Sequence, residues 1–270
     1  MTRLVAYGTR GFLVEGLVPE GPERASRLAV FAELLRGRLP RAEVVVGAGM
    51  LGVFGASSRE ELTAACDELD PARLEGEGLG TEHRIEVAYD GPDLAELSAR
   101  TGLAERELIE LHSGAEYQVE FLGFAPGFAY LGGLDPRLRL PRRGTPRPRV
   151  AAGSLAIAEG YTGIYPFDGP GGWHLLGRTL GAEIFEPSRE PAARLRAGDR
   201  VRFVESTAPS EFELRVRPRP SEVAGSHLLI ERSEGFVTVQ DGGRPGRLAE
   251  GLPRSGAISP LALRLANESV

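Results

Sequence analysis

Apolar residues alternate between helical and strand spacing in the first third of the chain and stand mainly in short, strand-like runs from residue 116 onward. Over residues 23–38 they stand three and four positions apart, which predicts an amphipathic helix that ends before Pro40. Ser58 followed by Glu61 forms a capping box and predicts a second helix over 58–69. Short apolar runs predict strands at 3–7, 12–15, 44–46 and 51–54. We interpret this order as a ferredoxin-like β-α-β-β-α-β domain covering residues 1–82.

From residue 83 the pattern favours strands. A strand at 81–89 and two short helices at 93–100 and 104–112 are followed by short apolar runs between Gly- and Pro-rich turns. Residues 196–203 have the pattern of a closing hairpin, so 83–206 is predicted to be an all-β barrel and the whole chain an α+β protein.

The remainder of the chain has a different organisation. Residues 207–226 contain an Arg-Pro-Arg-Pro stretch and are predicted to be a linker. Strands at 227–232 and 236–239, a turn at 241–246 and a helix opening at Ser259-Pro260 then start a new unit. Because 227–270 cannot complete a domain, we interpret it as the truncated start of a second barrel-type domain.

Composition narrows the functional class. The 270 residues are 41% hydrophobic and 26% charged, values typical of a folded globular protein. The net charge of −6 argues against nucleic acid as a partner, because phosphate backbones require clustered positive charge. A single cysteine, Cys66, fits a reducing compartment, and no apolar run reaches eighteen residues. The expected location is the cytoplasm, with no membrane partner.

Several catalytic classes lack their sequence signatures. The four histidines have no metal-ligand spacing, so no metal site is predicted. Residues 47–52 match G-x-G-x-x-G, yet the strand-like Val53-Phe54 follows where a helix should open. A β-turn is therefore favoured over a nucleotide site at these glycines.

Three ionisable residues are the candidate catalytic groups. His112 lies near a predicted helix C-terminus, where it is either a cation favoured by the helix dipole or a proton carrier at the mouth of the barrel. Arg142 and Arg178 lie in Gly/Pro-rich turns that suit binding of a carboxylate or phosphate, and Arg143 is a weaker candidate. The alternative for each arginine is a solvated turn residue.

Aromatic residues recur in similar turns and predict a concave pocket. Phe124, Tyr130, Tyr165 and Trp173, the only tryptophan, are the expected substrate-binding residues. Ser154 is added to them, although a plain turn residue is an equally good interpretation.

A family resemblance rests on several motifs in one order. They are Gly123-Phe-Ala-Pro-Gly-Phe-Ala-Tyr-Leu131, Pro141-Arg-Arg143, Ala152-Gly-Ser154, Thr162-Gly-Ile-Tyr-Pro166, Gly171-Gly-Trp173 and Gly177-Arg-Thr179. The sequence over roughly residues 1–205 resembles the allophanate hydrolase subunit 1 family, which includes the B subunit of 5-oxoprolinase and the Kip-type histidine-kinase inhibitor. The resemblance implies an N-terminal α/β domain, a cyclophilin-like barrel and a partner subunit.

A second resemblance concerns the C-terminal part. Gly235-Phe-Val-Thr-Val-Gln-Asp-Gly-Gly-Arg-Pro-Gly246 and Gly251-Leu-Pro-Arg-Ser-Gly-Ala-Ile-Ser-Pro260 resemble the opening of allophanate hydrolase subunit 2, which is also the C subunit of 5-oxoprolinase. The implied chain is a B subunit fused to the start of a C subunit.

The resemblances leave three functions open. The favoured one is a 5-oxoprolinase component that acts with the C subunit and an A subunit of the LamB/YcsF type, the complex rather than this chain alone using ATP. The others are a carboxyltransferase-like part of a biotin-dependent urea carboxylase-type system and a histidine-kinase inhibitor. Fusion to the C subunit favours the enzymatic roles, and a homo-oligomer is compatible with each. Allophanate hydrolysis is not predicted, because the chain has no amidase segment.

Overall fold

The computed structural model describes residues 2–8, 11–21, 23–56, 58–69, 80–207 and 240–268. Within these ranges the chain forms a four-stranded sheet, a closed seven-stranded barrel and a two-stranded sheet, together with five α-helices. The predicted α+β class is confirmed at this level.

The four-stranded sheet is antiparallel and lies in the first part of the chain. Its elements are β1 (Arg3–Tyr7), β2 (Gly11–Glu15), α1 (Arg24–Arg38), β3 (Glu43–Gly47), β4 (Met50–Phe54) and α2 (Arg59–Asp67). The strand order is β1-β2-β4-β3. Helix α1 buries Leu28, Phe31 and Leu35 against the sheet, as its apolar spacing predicts. The predicted cap of α2 is confirmed, since the Ser58 hydroxyl accepts the Glu61 N–H at 3.1 Å.

The order of these elements differs from the predicted one. It runs β-β-α-β-β-α, and the strand predicted after the second helix is instead a barrel strand. The sheet is completed by β1, which pairs antiparallel with β2 and places Tyr7 opposite Gly11. The glycine-rich stretch is a hairpin joining β3 to β4 through Ala48-Gly49, so the predicted β-turn is confirmed.

The barrel and its attachments follow from residue 82 onward. They comprise β5 (Glu82–Ala88), α3 (Leu94–Thr101), α4 (Glu105–Ser113), β6 (Glu116–Leu122), β7 (Ala129–Gly132), β8 (Arg147–Val150), β9 (Ser154–Ala158), β10 (Tyr161–Ile164), β11 (Gly169–Gly171), β12 (His174–Thr179) and β13 (Arg200–Glu205). The closed order is β10-β7-β6-β13-β5-β12-β9, and β8 pairs with β11 outside it. The pair β5–β13 is parallel, which brings residues about 120 positions apart side by side.

The side chains of the barrel strands point alternately to the two faces of the wall and form two separate apolar clusters. Leu155 and Ile157 of β9 join the large interior core, whereas Ala156 and Ala158 belong to a second cluster with Phe128 and Trp173. Because successive side chains of a strand point to opposite faces, the second cluster lies on the outer face of the same wall. This outer cluster is the site of the pocket described below.

The described C-terminal residues, 240–268, include a 3-10 turn, Leu248–Glu250, and the helix α5 (Pro260–Glu268). The predicted helix start at Ser259-Pro260 is confirmed, and the Ser259 hydroxyl accepts the Ala262 N–H at 3.2 Å. Apart from Thr207, the predicted linker and the strands at 227–232 and 236–239 lie outside the described residues. Among the helices of the described ranges, none has the length and apolar character needed to cross a membrane.

Candidate binding pocket on the barrel wall

A small cavity of about 60 Å³ opens on the outer face of the barrel wall. Its lining residues are Phe124, Phe128, Tyr130, Arg142, Tyr165, Gly171, Gly172 and Trp173. Five of them, the four predicted aromatic residues and Arg142, are candidates from the sequence. The structure therefore brings together side chains that come from five separate turns and strands of the 120–179 region.

Phe128 is the centre of the aromatic packing. Its ring meets those of Phe124, Tyr130, Tyr165 and Trp173 edge to face, with centroid distances of 5.1 to 5.4 Å. Such pairs add about 0.5–1.5 kcal/mol beyond the burial of their area, so they fix the rings in place. The sequence analysis did not single out Phe128 as a pocket residue.

Position 171 requires glycine because the backbone there lies very close to the Tyr165 side chain. A Cβ built at this position would overlap the Tyr165 hydroxyl. The absence of a side chain lets β11 lie directly against the ring. Burial raises the pKa of Tyr165, so the phenol is neutral at physiological pH.

Phe124 has the most unusual backbone in the pocket. Its φ is +68°, although its side chain is 65% exposed. A bulky residue in the left-handed region is a conformational outlier, and outliers of this kind concentrate at ligand sites. Its ring stands at the mouth of the cavity, against Phe128 and Tyr165.

Arg142 provides the charge at the rim. Its Nε lies 3.3 Å from the Glu159 carboxylate, and both side chains are about half exposed. An exposed ion pair of this kind contributes little to stability. Burial raises the pKa of the neighbouring Tyr130, against the opposing effect of Arg142.

Asp93 holds the turn that follows Arg142, and sequence reasoning missed it. The buried Asp93 carboxylate accepts from Arg143 at 3.1 Å, from Arg147 at 2.5 Å and from the Leu175 N–H at 2.7 Å. Burial raises the pKa of Asp93, but the hydrogen bonds and charges of the two arginines outweigh it and leave the pKa below its usual value. These contacts span some fifty residues or more, so no local sequence signal points to them.

Arg143 is consequently a structural residue. Besides its ion pair with Asp93, it contacts the Glu96 carboxylate at 2.9 Å, and its own N–H donates to the Gly172 carbonyl at 2.8 Å. Because Gly172 lines the cavity, this network supports the pocket from behind.

His112 lies inside the barrel and away from the pocket. Its Nε2 is 2.9 Å from the Thr162 hydroxyl, and its Nδ1 is 2.8 Å from the Tyr89 hydroxyl. Thr162 already donates to the Ala156 carbonyl at 3.1 Å, so it accepts from Nε2–H and leaves Nδ1 to accept from Tyr89. Each polar atom of the ring therefore has a partner.

The environment of His112 contradicts both predicted roles. Complete burial lowers the pKa of His112 to about 3, so it is neutral rather than a cation at the helix end. A fully enclosed side chain also cannot carry protons at the mouth of the barrel. What sequence spacing could not show is the direction of this side chain, which α4 turns into the core.

The two other predicted residues do not line the cavity. The Arg178 Nε contacts the Asp90 carboxylate at 2.9 Å on an exposed part of β12. Ser154 is buried in β9, where its carbonyl accepts the Tyr165 N–H at 2.9 Å. It therefore supports the pocket through its backbone rather than through its hydroxyl.

A larger cleft of about 910 Å³ separates the start of α1 from the barrel. Arg24 crosses it and donates to the Gly49 carbonyl at 2.8 Å. Charged residues of both signs line the cleft, including Glu20, Glu120 and Arg200. No group of three or more potential metal ligands occurs in the described part of the chain.

Comparison with known families decides the relationship. A family model described as carboxyltransferase domain, subdomain C and D, matches residues 2–195. The chain belongs to this family. The first resemblance, inferred from the motifs over residues 1–205, is thereby confirmed, and the family model covers the four-stranded sheet and most of the barrel.

Curated relatives of this family member carry one name, the B subunit of 5-oxoprolinase. The chain is 50% identical over 136 residues to the protein of that name from Escherichia coli O157:H7, which is 48% of this chain and 62% of that protein. It is 36% identical over 191 residues to the Haemophilus influenzae protein, which is 69% of this chain and 89% of that protein. The match to the Bacillus subtilis protein is 49% identical and spans 44% of this chain and 51% of that protein. The chain thus matches less than two thirds of the Escherichia coli and Bacillus proteins.

Solved structures show the same fold. TTHA0988 is 38% identical with a TM-score of 0.75, and the alignment covers 92% of this chain and 50% of TTHA0988. The Kluyveromyces lactis urea carboxylase is 18% identical with a TM-score of 0.54, over 76% of this chain and 22% of that enzyme. The second likeness concerns the fold alone.

Proposed function

We propose that this chain is one component of a 5-oxoprolinase, the enzyme that uses ATP to open the lactam of 5-oxoproline to glutamate. The observation that carries the proposal is the match to three proteins named as the B subunit of 5-oxoprolinase, one of them matched over 89% of its length. The lining of the pocket on the barrel wall has the chemistry to hold one part of such a substrate, since a cavity of about 60 Å³ does not enclose a whole ring.

The chemistry of the pocket fits a small ring that carries a carboxylate. Tyr130, Tyr165 and Trp173 provide apolar faces for the ring. At the rim, the Arg142 guanidinium exchanges its exposed partner Glu159 for the substrate carboxylate. The neutral phenols of Tyr130 and Tyr165 are available as hydrogen-bond donors to the lactam carbonyl.

The same lining implies a binding role rather than the whole reaction. Among its eight residues there is no carboxylate, histidine or cysteine to act as base or nucleophile. We therefore place the remaining catalytic groups on the partners, an A subunit of the LamB/YcsF type and the C subunit.

We place the binding of ATP on the partner subunits for a separate reason. The glycine-rich stretch that comes closest to a nucleotide motif forms the tight β3–β4 hairpin. A phosphate-binding loop needs a helix N-terminus directly after its glycines, and β4 occupies that place. These residues do not fit the nucleotide, and no step of the reaction is assigned to them.

Fusion to the C subunit is a further part of the proposal. The likeness to TTHA0988 covers 92% of this chain, whereas the family model ends at residue 195. TTHA0988 is about twice the length of the aligned region, since only 50% of it is covered. Both facts support a chain in which a second unit follows the barrel.

Reconstitution tests the proposal. The chain is combined with the A subunit and a complete C subunit, and ATP-dependent glutamate release from 5-oxoproline is measured with and without it. We expect release to require this chain. Full release in its absence would refute the proposal.

Arg142→Ala tests the site within that assay. Loss of a charge-assisted hydrogen bond is expected to raise KM roughly ten- to hundred-fold. Arg149→Ala is the matched control, because Arg149 is an exposed arginine of the neighbouring strand that pairs with Asp168 outside the cavity. Equal KM values for the two variants would remove Arg142 from the substrate site.

A carboxyltransferase-like role is the second candidate, favoured by the family description and by the fold shared with urea carboxylase. It predicts transfer of a carboxyl group from biotin supplied by another protein. Carboxylation of urea by the reconstituted proteins, with no glutamate release, would favour this role. Binding to a histidine-kinase dimerisation domain, with no activity in either assay, would favour the inhibitor instead.

A further inference from the structure

The loop at residues 123–128 forms the mouth of the pocket and is conformationally strained. The Ala125 N–H donates to the Gly123 carbonyl at 2.8 Å across Phe124, which makes a γ-turn with positive φ at Phe124. The Phe128 N–H then donates to the Ala125 carbonyl at 3.0 Å, closing a turn through Pro126-Gly127. Strained turns persist only where surrounding structure holds them.

Support for this loop comes from a segment more than 120 residues further along the chain. Residues 247–252, here called the strap, include the 3-10 turn and lie against it. The Gly127 N–H donates to the Glu250 carbonyl at 2.9 Å. Gly251 has φ +74°, and a Cβ there would lie only 3.2 Å from the Ala125 carbonyl. The approach is backbone to backbone.

The Glu250 side chain anchors the strap to the barrel. Its carboxylate accepts the Ala192 N–H at 2.6 Å and the Ala193 N–H at 3.1 Å, and it pairs with Arg247 at 2.8 Å. Burial raises the pKa of Glu250, but these hydrogen bonds outweigh it and leave the pKa below its usual value. The group is a carboxylate at neutral pH and holds its partners through charge-assisted bonds.

Two weaker contacts complete the anchoring. Leu252 packs against the barrel core. The Leu248 N–H lies 3.4 Å from the Glu43 carboxylate on β3 of the four-stranded sheet. The strap is therefore fixed on both sides of its contact with the loop.

We infer that the strap positions the pocket and that Glu250 is the positioning residue of the strap. The strap holds loop 123–128 in its strained conformation. In this way it places Phe124 at the mouth of the pocket and sets the affinity of the pocket for its ligand. The inference deepens the proposed function and rests on it only for the identity of the ligand. It makes ligand binding on the barrel depend on the part of the chain that follows residue 240.

Trp173 gives a substrate-independent readout, because it is the only tryptophan and lines the cavity. In the full chain, Glu250→Ala is compared with Glu250→Gln and with Glu105→Gln, an exposed glutamate on α4. Amide hydrogen exchange of Gly127 and acrylamide quenching of Trp173 fluorescence are measured, and far-UV circular dichroism monitors the fold.

We expect Glu250→Ala to accelerate exchange at Gly127 roughly ten-fold, because its hydrogen bond to the strap opens, and to increase quenching of Trp173. Glu250→Gln keeps an acceptor oxygen and should restore part of the protection. Fluorescence titration with 5-oxoproline should show an affinity about ten-fold weaker in Glu250→Ala. Glu105→Gln should match the wild type throughout.

If Glu250→Ala does not fold, Gly251→Ala provides the same test, because its Cβ pushes the strap from the loop while Glu250 remains. Exchange and quenching equal to those of Glu105→Gln in a folded strap variant would overturn the inference. Since neither measurement needs substrate, that result leaves the proposed function standing. Conversely, if the wild type does not bind 5-oxoproline, only the identity of the ligand is refuted, and the positioning role of the strap is still decided by exchange and quenching.

Discussion

The two faces of the barrel wall use polar groups in opposite ways. On the inner face, Tyr89, His112 and Thr162 form a hydrogen-bonded chain that ends on a backbone carbonyl. On the outer face, Arg142 is half exposed and holds one weak ion pair beside an open aromatic cavity. Strand β10 contributes to both, with Thr162 on one face and the neighbouring Tyr161 among the outer aromatic rings.

This difference separates polar groups that are fully hydrogen-bonded within the fold from one that still has hydrogen-bonding capacity at the surface. A buried group whose every atom has a partner stabilises the fold and has no capacity left for a ligand. A group at the rim of a cavity, whose ion pair is already weakened by solvent, can still bind a ligand. The residue type alone misleads, because histidine is the more common catalytic side chain and arginine the more common surface one.

His112→Ala is the strongest test of the inner face. It leaves a cavity and removes the partner of the Tyr89 hydroxyl, so the free energy of unfolding should fall by about 4 kcal/mol. Urea denaturation measures the loss. An unchanged unfolding free energy together with lost activity would instead make His112 a catalytic group.

Asp93→Asn tests the support behind the outer face. It leaves the Arg143 and Arg147 guanidiniums without their shared carboxylate, and we expect a loss of about 2–3 kcal/mol. This loss is at or below the lower end of the range of about 3–5 kcal/mol for breaking a fully buried ion pair. The reason is that each arginine side chain keeps about a quarter of its surface exposed. Urea denaturation gives the loss, and Trp173 fluorescence should report a disturbed pocket. A native emission spectrum would show that the pocket does not depend on this network.

Stability should also depend on pH through His112. Its pKa is about 3 in the folded chain and near 6.5 when unfolded, so the unfolded state binds the extra proton. The contribution is therefore complete above pH 6.5 and lost as the pH falls towards 3, by up to about 1.4 kcal/mol per pH unit. Unfolding midpoints at pH 7, 6 and 5 should decline more steeply in the wild type than in His112→Gln. If the unfolding midpoints of the two proteins decline equally with falling pH, a group other than His112 takes up the proton on unfolding.

The smallest effect is expected for Arg178→Ala. Its pairing with Asp90 is an exposed one, worth at most about 0.5 kcal/mol. Stability and the KM for 5-oxoproline should both stay near the wild-type values. A large rise in KM would mean that the substrate site extends to β12 and that the outer pocket is only part of it.

Sequence reasoning singled out four of the aromatic residues that line the cavity but misplaced the histidine, for a physical reason. Phe124, Tyr130, Tyr165 and Trp173 stand in Gly- and Pro-rich turns, where local backbone constraints decide which way a ring points. His112 is carried by a helix, where the direction of a side chain depends on what the helix packs against. Asp93 and Glu250 were missed because the groups that they hold in place, Arg147 for Asp93 and the Ala192 N–H for Glu250, lie more than fifty residues away in the chain.

The sequence by itself determined the periodicities, the α2 cap, the glycine hairpin and the family, because all of these follow from local spacing and motif order. Tertiary structure alone decided that β1 completes the first sheet and that β5 pairs with β13. It also decided that His112 is buried and neutral while Arg142 stays exposed, since desolvation and ion pairing depend on neighbours that no local pattern contains.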